Sequence, residues 1–191
     1  ISGNYPWQET VTLAIASQED IQHTLALRLP DWCDAPQVML NGAAVKQDIR
    51  KGYLHINRLW REGDTLTLTL PMPVRRLYGN PLLRHVAGKV ALQRGPLVYC
   101  LEQADNGENL HNLWLPETAA FTTFEGKGLF SHKILIQADG LRRTAVHPEQ
   151  QALWRYDYRP SDAQPQTLTF IPWFSWANRG EGEMRIWVNE I

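Results

Sequence analysis

Apolar and polar residues alternate along most of this chain. Val11, Leu13 and Ile15 interleave with Thr12, Ala14 and Ala16, and Leu25, Leu27 and Leu29 with Ala26 and Arg28. Leu66, Leu68 and Leu70 interleave with Thr65, Thr67 and Thr69. A period of two puts one set on a buried face and the other towards solvent, so each run predicts a β-strand. Threonine on the open face fits, because a β-branched side chain suits the pleated surface. The same period predicts strands at Leu54 and Ile56, at Ile134 and Ile136, at Trp154, Tyr156 and Tyr158, and at Met184, Ile186 and Val188. The run 96–101 (PLVYCL) is continuously apolar and reads as a strand buried on both faces, between two sandwiches. Only His147 to Ala152 suggests a helix, of one turn beside Pro148.

Turn residues punctuate these runs. Asn41-Gly42 separates Val38-Met39-Leu40 from Ala44-Val45, a hairpin signal because both central residues of a type I′ turn need positive φ. Glu62-Gly63-Asp64 precedes the threonine–leucine strand, and Asn106-Gly107 and Asp139-Gly140 predict later reversals. Pro30, Pro71 and Pro73 fall at strand ends, where a missing amide donor does least harm. About seven strands before Tyr78 and about seven after Lys89 predict an all-β chain of two antiparallel β-sandwich domains in tandem, jelly-roll-like. The first is expected over 1–88. The second is expected over 89–191, with a last strand free to return to the first sandwich. The loop 79–88, with Asn80-Pro81, marks the boundary.

Composition narrows the function classes. The chain has 191 residues, enough for two sandwiches, and 43% are hydrophobic, enough to pack cores. A net charge of −1 gives none of the basic field that nucleic acid requires. Arg75-Arg76 and Arg142-Arg143 are too short to supply one. No apolar run is long enough for a membrane-spanning helix. Cys33 and Cys100 allow one disulfide, but two buried free thiols in a reducing, cytoplasmic compartment are the expected state.

Catalytic and metal signatures are missing. The six histidines form no HxH or HExxH pair. No GxSxG elbow and no phosphate-cradling glycine loop appears. Cys100 lies in the apolar run, where desolvation raises a thiol's pKa. Paired carboxylates remain conceivable. Glu181 and Glu183 share a glycine-rich segment that reads first as a hairpin turn into the last strand, and second as a loop touching a ligand or a neighbouring domain. No catalytic residue and no metal ligand is assigned. Eight tryptophans are the unusual feature. The densest cluster, Trp173-Phe174-Ser175-Trp176, would point to both faces of a strand. It is read as a packing surface first and as a sugar platform second. Trp173, Trp176 and Arg179 are therefore the candidate substrate-binding residues.

Several stretches resemble one family. They are residues 25–33 (LALRLPDWC), 38–42 (VMLNG), 60–64 (WREGD), 70–76 (LPMPVRR), 90–99 (VALQRGPLVY) and 176–184 (WANRGEGEM). In this order they resemble the C-terminal region of the bacterial β-L-arabinofuranosidase family, glycoside hydrolase family 127. The resemblance implies an (α/α)₆ catalytic barrel followed by two β-sandwiches. It also implies a zinc-bound cysteine nucleophile held by glutamate and neighbouring cysteines on that barrel. The family's adjacent cysteine pair has no counterpart here. The resemblance therefore implies a non-catalytic portion with no cofactor of its own, and zinc only in the parent barrel. Whether the chain is itself an enzyme stays open. Its expected partner is its own N-terminal barrel. A homodimer contact and a carbohydrate are the further candidates, and neither nucleic acid nor membrane is expected.

Overall fold

The structure, a computed structural model, describes residues 1–46, 48–143 and 163–191. The strand expected at Trp154–Tyr158 and the helical turn at His147–Ala152 lie outside the described residues. The described residues are dominated by strands, as the alternation predicts, and they divide into two compact units, Ile1–Pro73 and Val74–Ile191. The division falls upstream of the expected 88/89 boundary. The reason is one ladder: the strand Val74–Tyr78 pairs antiparallel with Lys89–Arg94 along its full length, which ties residues 74–88 to the second unit. Among the described residues no helix is long and apolar enough to cross a membrane.

Unit 1 holds β1 (Ser2–Gly3), β2 (Thr10–Ala14), β3 (Ile21–Arg28), β4 (Gln37–Leu40), β5 (Ala43–Ala44), β6 (Ile49–Arg50), β7 (Tyr53–Trp60) and β8 (Thr65–Thr69). They form a five-stranded sheet, β1-β2-β8-β4-β5, and a three-stranded sheet, β3-β7-β6. Leu66 and Leu68 of β8 and Val38 of β4 meet Leu27 of β3 and Leu54, Ile56 and Trp60 of β7 in one core. Each fully buried leucine contributes roughly 2 kcal/mol by transfer from water. The threonines of β8 stay half-exposed on the opposite face.

The two turn signals of this unit bind each other. Asn41 and Gly42 both take positive φ, as a type I′ turn requires. Asn41 Nδ2 donates to Asp64 Oδ1 at 2.7 Å, and Asn41 Oδ1 accepts from the Thr65 amide at 2.8 Å. Asp64 also accepts from the Arg61 amide, so the β4–β5 and β7–β8 turns share one buried carboxylate. These donors hold the Asp64 pKa below its ordinary value, with the Asn41 hydrogen bond as the largest cause.

Unit 2 holds β9 (Val74–Tyr78), β10 (Lys89–Arg94), β11 (Leu97–Glu102), the short helix α1 (Gln103–Asn106), β12 (Leu113–Leu115), β13 (Phe121–Glu125), β14 (Ile134–Arg143), β15 (Ala163–Pro172), β16 (Met184–Arg185) and β17 (Val188–Glu190). Six of these strands close on themselves in the order β11-β15-β14-β12-β17-β10, because β10 also pairs with β11. All six strands send residues to the enclosed core, including Leu92, Tyr99, Leu113, Ile136, Phe170 and Val188. β9, β13 and β16 add to the outside of the ring, on β10, β14 and β11.

β11 is buried on both faces, as its unbroken apolar sequence predicts. The cover on its second face comes from unit 2 itself: Cys100 packs outside the ring with Phe130, Leu135 and Ile171. Two local expectations change. Asp139-Gly140 makes no reversal and lies inside the ten-residue β14. A Cβ on Gly140 would stand 2.5 Å from Leu168 Cδ1 and 2.9 Å from the Trp114 carbonyl oxygen, so the glycine answers to close packing between strands. The last alternating run is split. Met184 and Ile186 cover the outer cluster, while Val188 enters the ring core through β17, which pairs with β10 and β12. The last strand thus stays within unit 2.

Candidate functional site

The apolar run of β11 ends on a carboxylate. Glu102 is buried, and a buried charge needs a partner of opposite sign with hydrogen bonds to match. Arg179 supplies it. Arg179 Nε donates to Glu102 Oε2 at 3.0 Å, and Nη2 donates to the same oxygen. The other edge of the guanidinium reaches Asp105 on α1, with Nη1 donating to Oδ1 at 2.7 Å and Nη2 to Oδ2 at 2.5 Å. Its carbon lies 4.8 Å from the centre of the Phe130 ring. The hydrogen bond to Asp105 is the leading reason that the Arg179 pKa rises further above its ordinary value. Arg179 is a clamp between the end of β11, α1 and the segment that carries it.

The segment is held elsewhere too. Ala177, at φ 61°, donates its amide to Glu102 Oε1 at 2.8 Å. Glu183 accepts from the amides of Asn109 and Leu110, and those two backbone donors hold its pKa below the ordinary value. Gln103 and Glu183 exchange a backbone and a side-chain hydrogen bond, both 2.9 Å. The segment leads to β16, which pairs with β11 and not with the strand before it, so the hairpin expected around Glu181 and Glu183 does not form. Beneath it, buried Asn106 bonds the Thr169 amide and carbonyl, and Arg142 donates to the carbonyls of Asn106 and Glu108.

The predicted strand over Trp173-Phe174 is a 3-10 turn, Trp173–Ser175, following β15. Trp173, Phe174 and Trp176 are all exposed. Of the tryptophans among the described residues, only Trp173 and Trp176 are exposed. The turn that follows β13, Gly128–Phe130, adds exposed Leu129. Lys133 joins the two turns, its Nζ donating to the Leu129 carbonyl at 3.2 Å and to Ser175 Oγ at 3.3 Å. The structure thus brings Trp173, Trp176 and Arg179 onto one pinned segment. It leaves the two rings open and commits the guanidinium to protein carboxylates.

A cavity of about 300 Å³ lies beside the clamp, lined by Gln103, Glu108, Arg179 and Glu181 together with Glu102 and three glycines. A cleft of about 350 Å³ in unit 1 is apolar, lined by Ile15, Ile21, Leu25, His23 and Trp60. Glu102, Glu108 and Glu181 line the first, where Glu102 is committed to Arg179 and the Ala177 amide, and among the described residues the second has no carboxylate in its lining. Among the described residues, the carboxylates with displaced pKa values, Asp48, Asp64 and Glu183, all move down, and none of the three lines either cavity. Among the described residues no group of three or more His, Cys, Asp and Glu is placed to hold a metal ion. The cysteines do not fit a zinc thiolate. Both are buried and outside any disulfide, one in each unit, and burial pushes the Cys100 thiol up to about 12.

Sequence reasoning missed Glu102 and Asp105. The signal was present: a carboxylate closing a strand buried on both faces must be neutralised, and an arginine elsewhere in the chain is its natural partner.

Comparison with known proteins matches two family models. Residues 2–72 match "Beta-L-arabinofuranosidase, GH127 middle domain", and residues 74–189 match "Glycoside hydrolase family 127 C-terminal domain". The chain is 33% identical to a non-reducing end β-L-arabinofuranosidase of Bifidobacterium longum subsp. longum, over 96% of this chain and 29% of that protein. A crystal structure of a GH127 β-L-arabinofuranosidase from Geobacillus stearothermophilus T6 matches all of this chain at 42% identity and a TM-score of 0.86, over 30% of its own length. A GH127 β-arabinofuranosidase structure matches at 30% identity and a TM-score of 0.85, over 31% of its length. The chain spans about 30% of the length of these relatives.

Proposed function

Since the chain belongs to glycoside hydrolase family 127, we propose that it is the non-catalytic β-portion of a β-L-arabinofuranosidase-like hydrolase. It supports a helical catalytic barrel supplied by the rest of a longer polypeptide. The observation that carries this reading is the coincidence of two boundaries. The middle-domain and C-terminal-domain matches meet at residues 72 and 74, and the compact units part between Pro73 and Val74. Zinc, in this reading, belongs to the barrel, and two cysteines outside any disulfide accord with a cytoplasmic enzyme.

The test compares the full-length polypeptide with residues 1–191 alone on an aryl β-L-arabinofuranoside. Hydrolysis by the full-length protein and none by the portion alone is expected. Turnover by the portion at a rate near the parent's would sink the reading.

One observation favours a second reading, a carbohydrate-binding module: Trp173 and Trp176 are open to solvent. Titration with arabinan fragments, followed by tryptophan fluorescence, decides it. A saturable change at millimolar sugar supports the module, and a flat trace removes it. A homodimer contact, the remaining partner of this reading, shows as doubled mass in light scattering.

A further inference from the structure

Leu129, Trp173, Phe174 and Trp176 are between 39% and 53% exposed, on two turns that Lys133 ties together. Large side chains left this open on a loop are usually mobile. These are not free to move far, because the segment behind them is anchored by Arg179 on Glu102 and Asp105, by Ala177 on Glu102 and by Glu183 on two backbone amides. The chain has used a buried charge and a non-glycine residue at positive φ to hold an apolar surface against water. Such a surface costs solubility and returns nothing unless something covers it.

We propose that this surface is the docking face for the catalytic part of the same polypeptide, which packs an apolar patch of its own against Trp173, Phe174, Trp176 and Leu129. This rests on the reading of the chain as one portion of a longer hydrolase. Two observations select that occupant. The first is area. Side chains of this size and exposure offer roughly 400 Å² of apolar surface. A stable complex between separate chains buries about 800 Å² on each partner. A tethered partner needs less, because the covalent link supplies an effective concentration in the millimolar range, and about 70% of the relatives' length lies outside the matched portion. The second is the state of the polar groups around the rings. A sugar platform needs free donors and acceptors beside its aromatic faces. Here Arg179 is committed to two carboxylates, Lys133 to a carbonyl and a hydroxyl, and Asn178 Nδ2 to the Ser175 carbonyl. The exposed side chains of the face itself, Leu129, Trp173, Phe174 and Trp176, are apolar or aromatic, which suits protein packing.

Hydroxyl-radical footprinting of the full-length polypeptide tests this, each rate being compared with that of the urea-unfolded protein. Trp173 and Trp176 are expected to oxidise as slowly as Trp60, which is 4% exposed. If the face were open, Trp173 at 47% exposure would oxidise about tenfold faster than Trp60. Protection that persists on dilution and without sugar supports the proposal. Protection lost on dilution assigns the face to a second copy, and protection only with arabinan fragments assigns it to sugar. Either result, or no protection at all, overturns it. The variant W173S/F174S in the full-length protein is expected to raise oxidation at Trp176, and an unchanged Trp176 rate counts against the proposal. Arabinofuranosidase activity is read in parallel. An inactive protein with a protected face would refute the arabinofuranosidase activity and leave the docking of this face on the rest of the polypeptide standing.

Discussion

Units 1 and 2 are both antiparallel sandwiches by sequence pattern, yet they are held in different ways. Unit 1 has two separate sheets that share one apolar core, and the turn pair Asn41–Asp64 ties two of its hairpins together. Unit 2 closes its strands into a ring, fills the ring, and then needs a second cluster on the outer face of β11. A strand covered on both faces has no solvent side on which to end. Its last residue, Glu102, is therefore buried with its charge, and Arg179 is brought from 77 positions along the chain to meet it. Closing the sheet removes edges that could pair with other chains. It also creates a buried end that only an ion pair satisfies.

The largest expected effect removes that ion pair. Arg179→Met leaves Glu102 buried and unpaired, and breaking a buried pair costs about 3–5 kcal/mol. The lower end is expected, because the Arg179 side chain keeps 26% of its surface in water. Hydrogen exchange of β11 and β15 should accelerate while β3 and β7 stay protected. Adding Glu102→Gln to Arg179→Met should recover part of the loss, since the amide oxygen still accepts from Ala177. Equal loosening of both units would break the comparison.

A smaller effect separates the two units by their glycines. Gly140→Ala drives a methyl into Leu168 and the Trp114 carbonyl, an overpacking cost of about 1–3 kcal/mol. Gly42 has nothing within 4 Å of a Cβ, but its φ is +80°, so Gly42→Ala costs about 1 kcal/mol through the backbone alone. Asparagine tells the mechanisms apart. Gly42→Asn should be near neutral, because asparagine tolerates the left-handed region, whereas Gly140→Asn should be worse than alanine. Urea midpoints measure both.

The two units were also unequally legible. The strands of unit 1 follow from alternation, and its hairpin from Asn41-Gly42, because each depends on neighbours in sequence. In unit 2 the runs 96–101 and 134–136 gave strands but not their partners. The closure rests on β12–β17 and β10–β17, contacts between residues some 75 and 100 positions apart, and no local pattern encodes them. Gly140 misled for the same reason: Asp-Gly is turn chemistry locally, and the demand for glycine came from Leu168. At the site, the tryptophans and Arg179 stood out by type. Glu102 and Asp105 did not, since a carboxylate's role depends on burial that only the fold reveals.

The smallest effect is the pH dependence of the two capping carboxylates, which also sharpens the comparison. Asp64 in unit 1 and Glu183 in unit 2 both have pKa values lowered by hydrogen bonds that the folded chain donates to the ionised form. A lowered folded pKa means that the unfolded chain takes up protons first. The stabilisation is thus fully present above the ordinary value, 4.5 for Glu183 and 3.8 for Asp64, and is lost as pH falls through the folded one. Because the glutamate's ordinary value is higher, the segment around Asn109 and Leu110 should start to weaken at a higher pH than the Asn41–Gly42 turn. Urea midpoints followed from about pH 6 down to about pH 3, with exchange read separately for β4–β5 and for residues 103–115, should show that order. Glu183→Gln should flatten the profile in unit 2 only, and Asp64→Asn in unit 1 only. If either substitution flattened both profiles, the caps would not act locally, and acid would be unfolding the chain through charges shared by the two units.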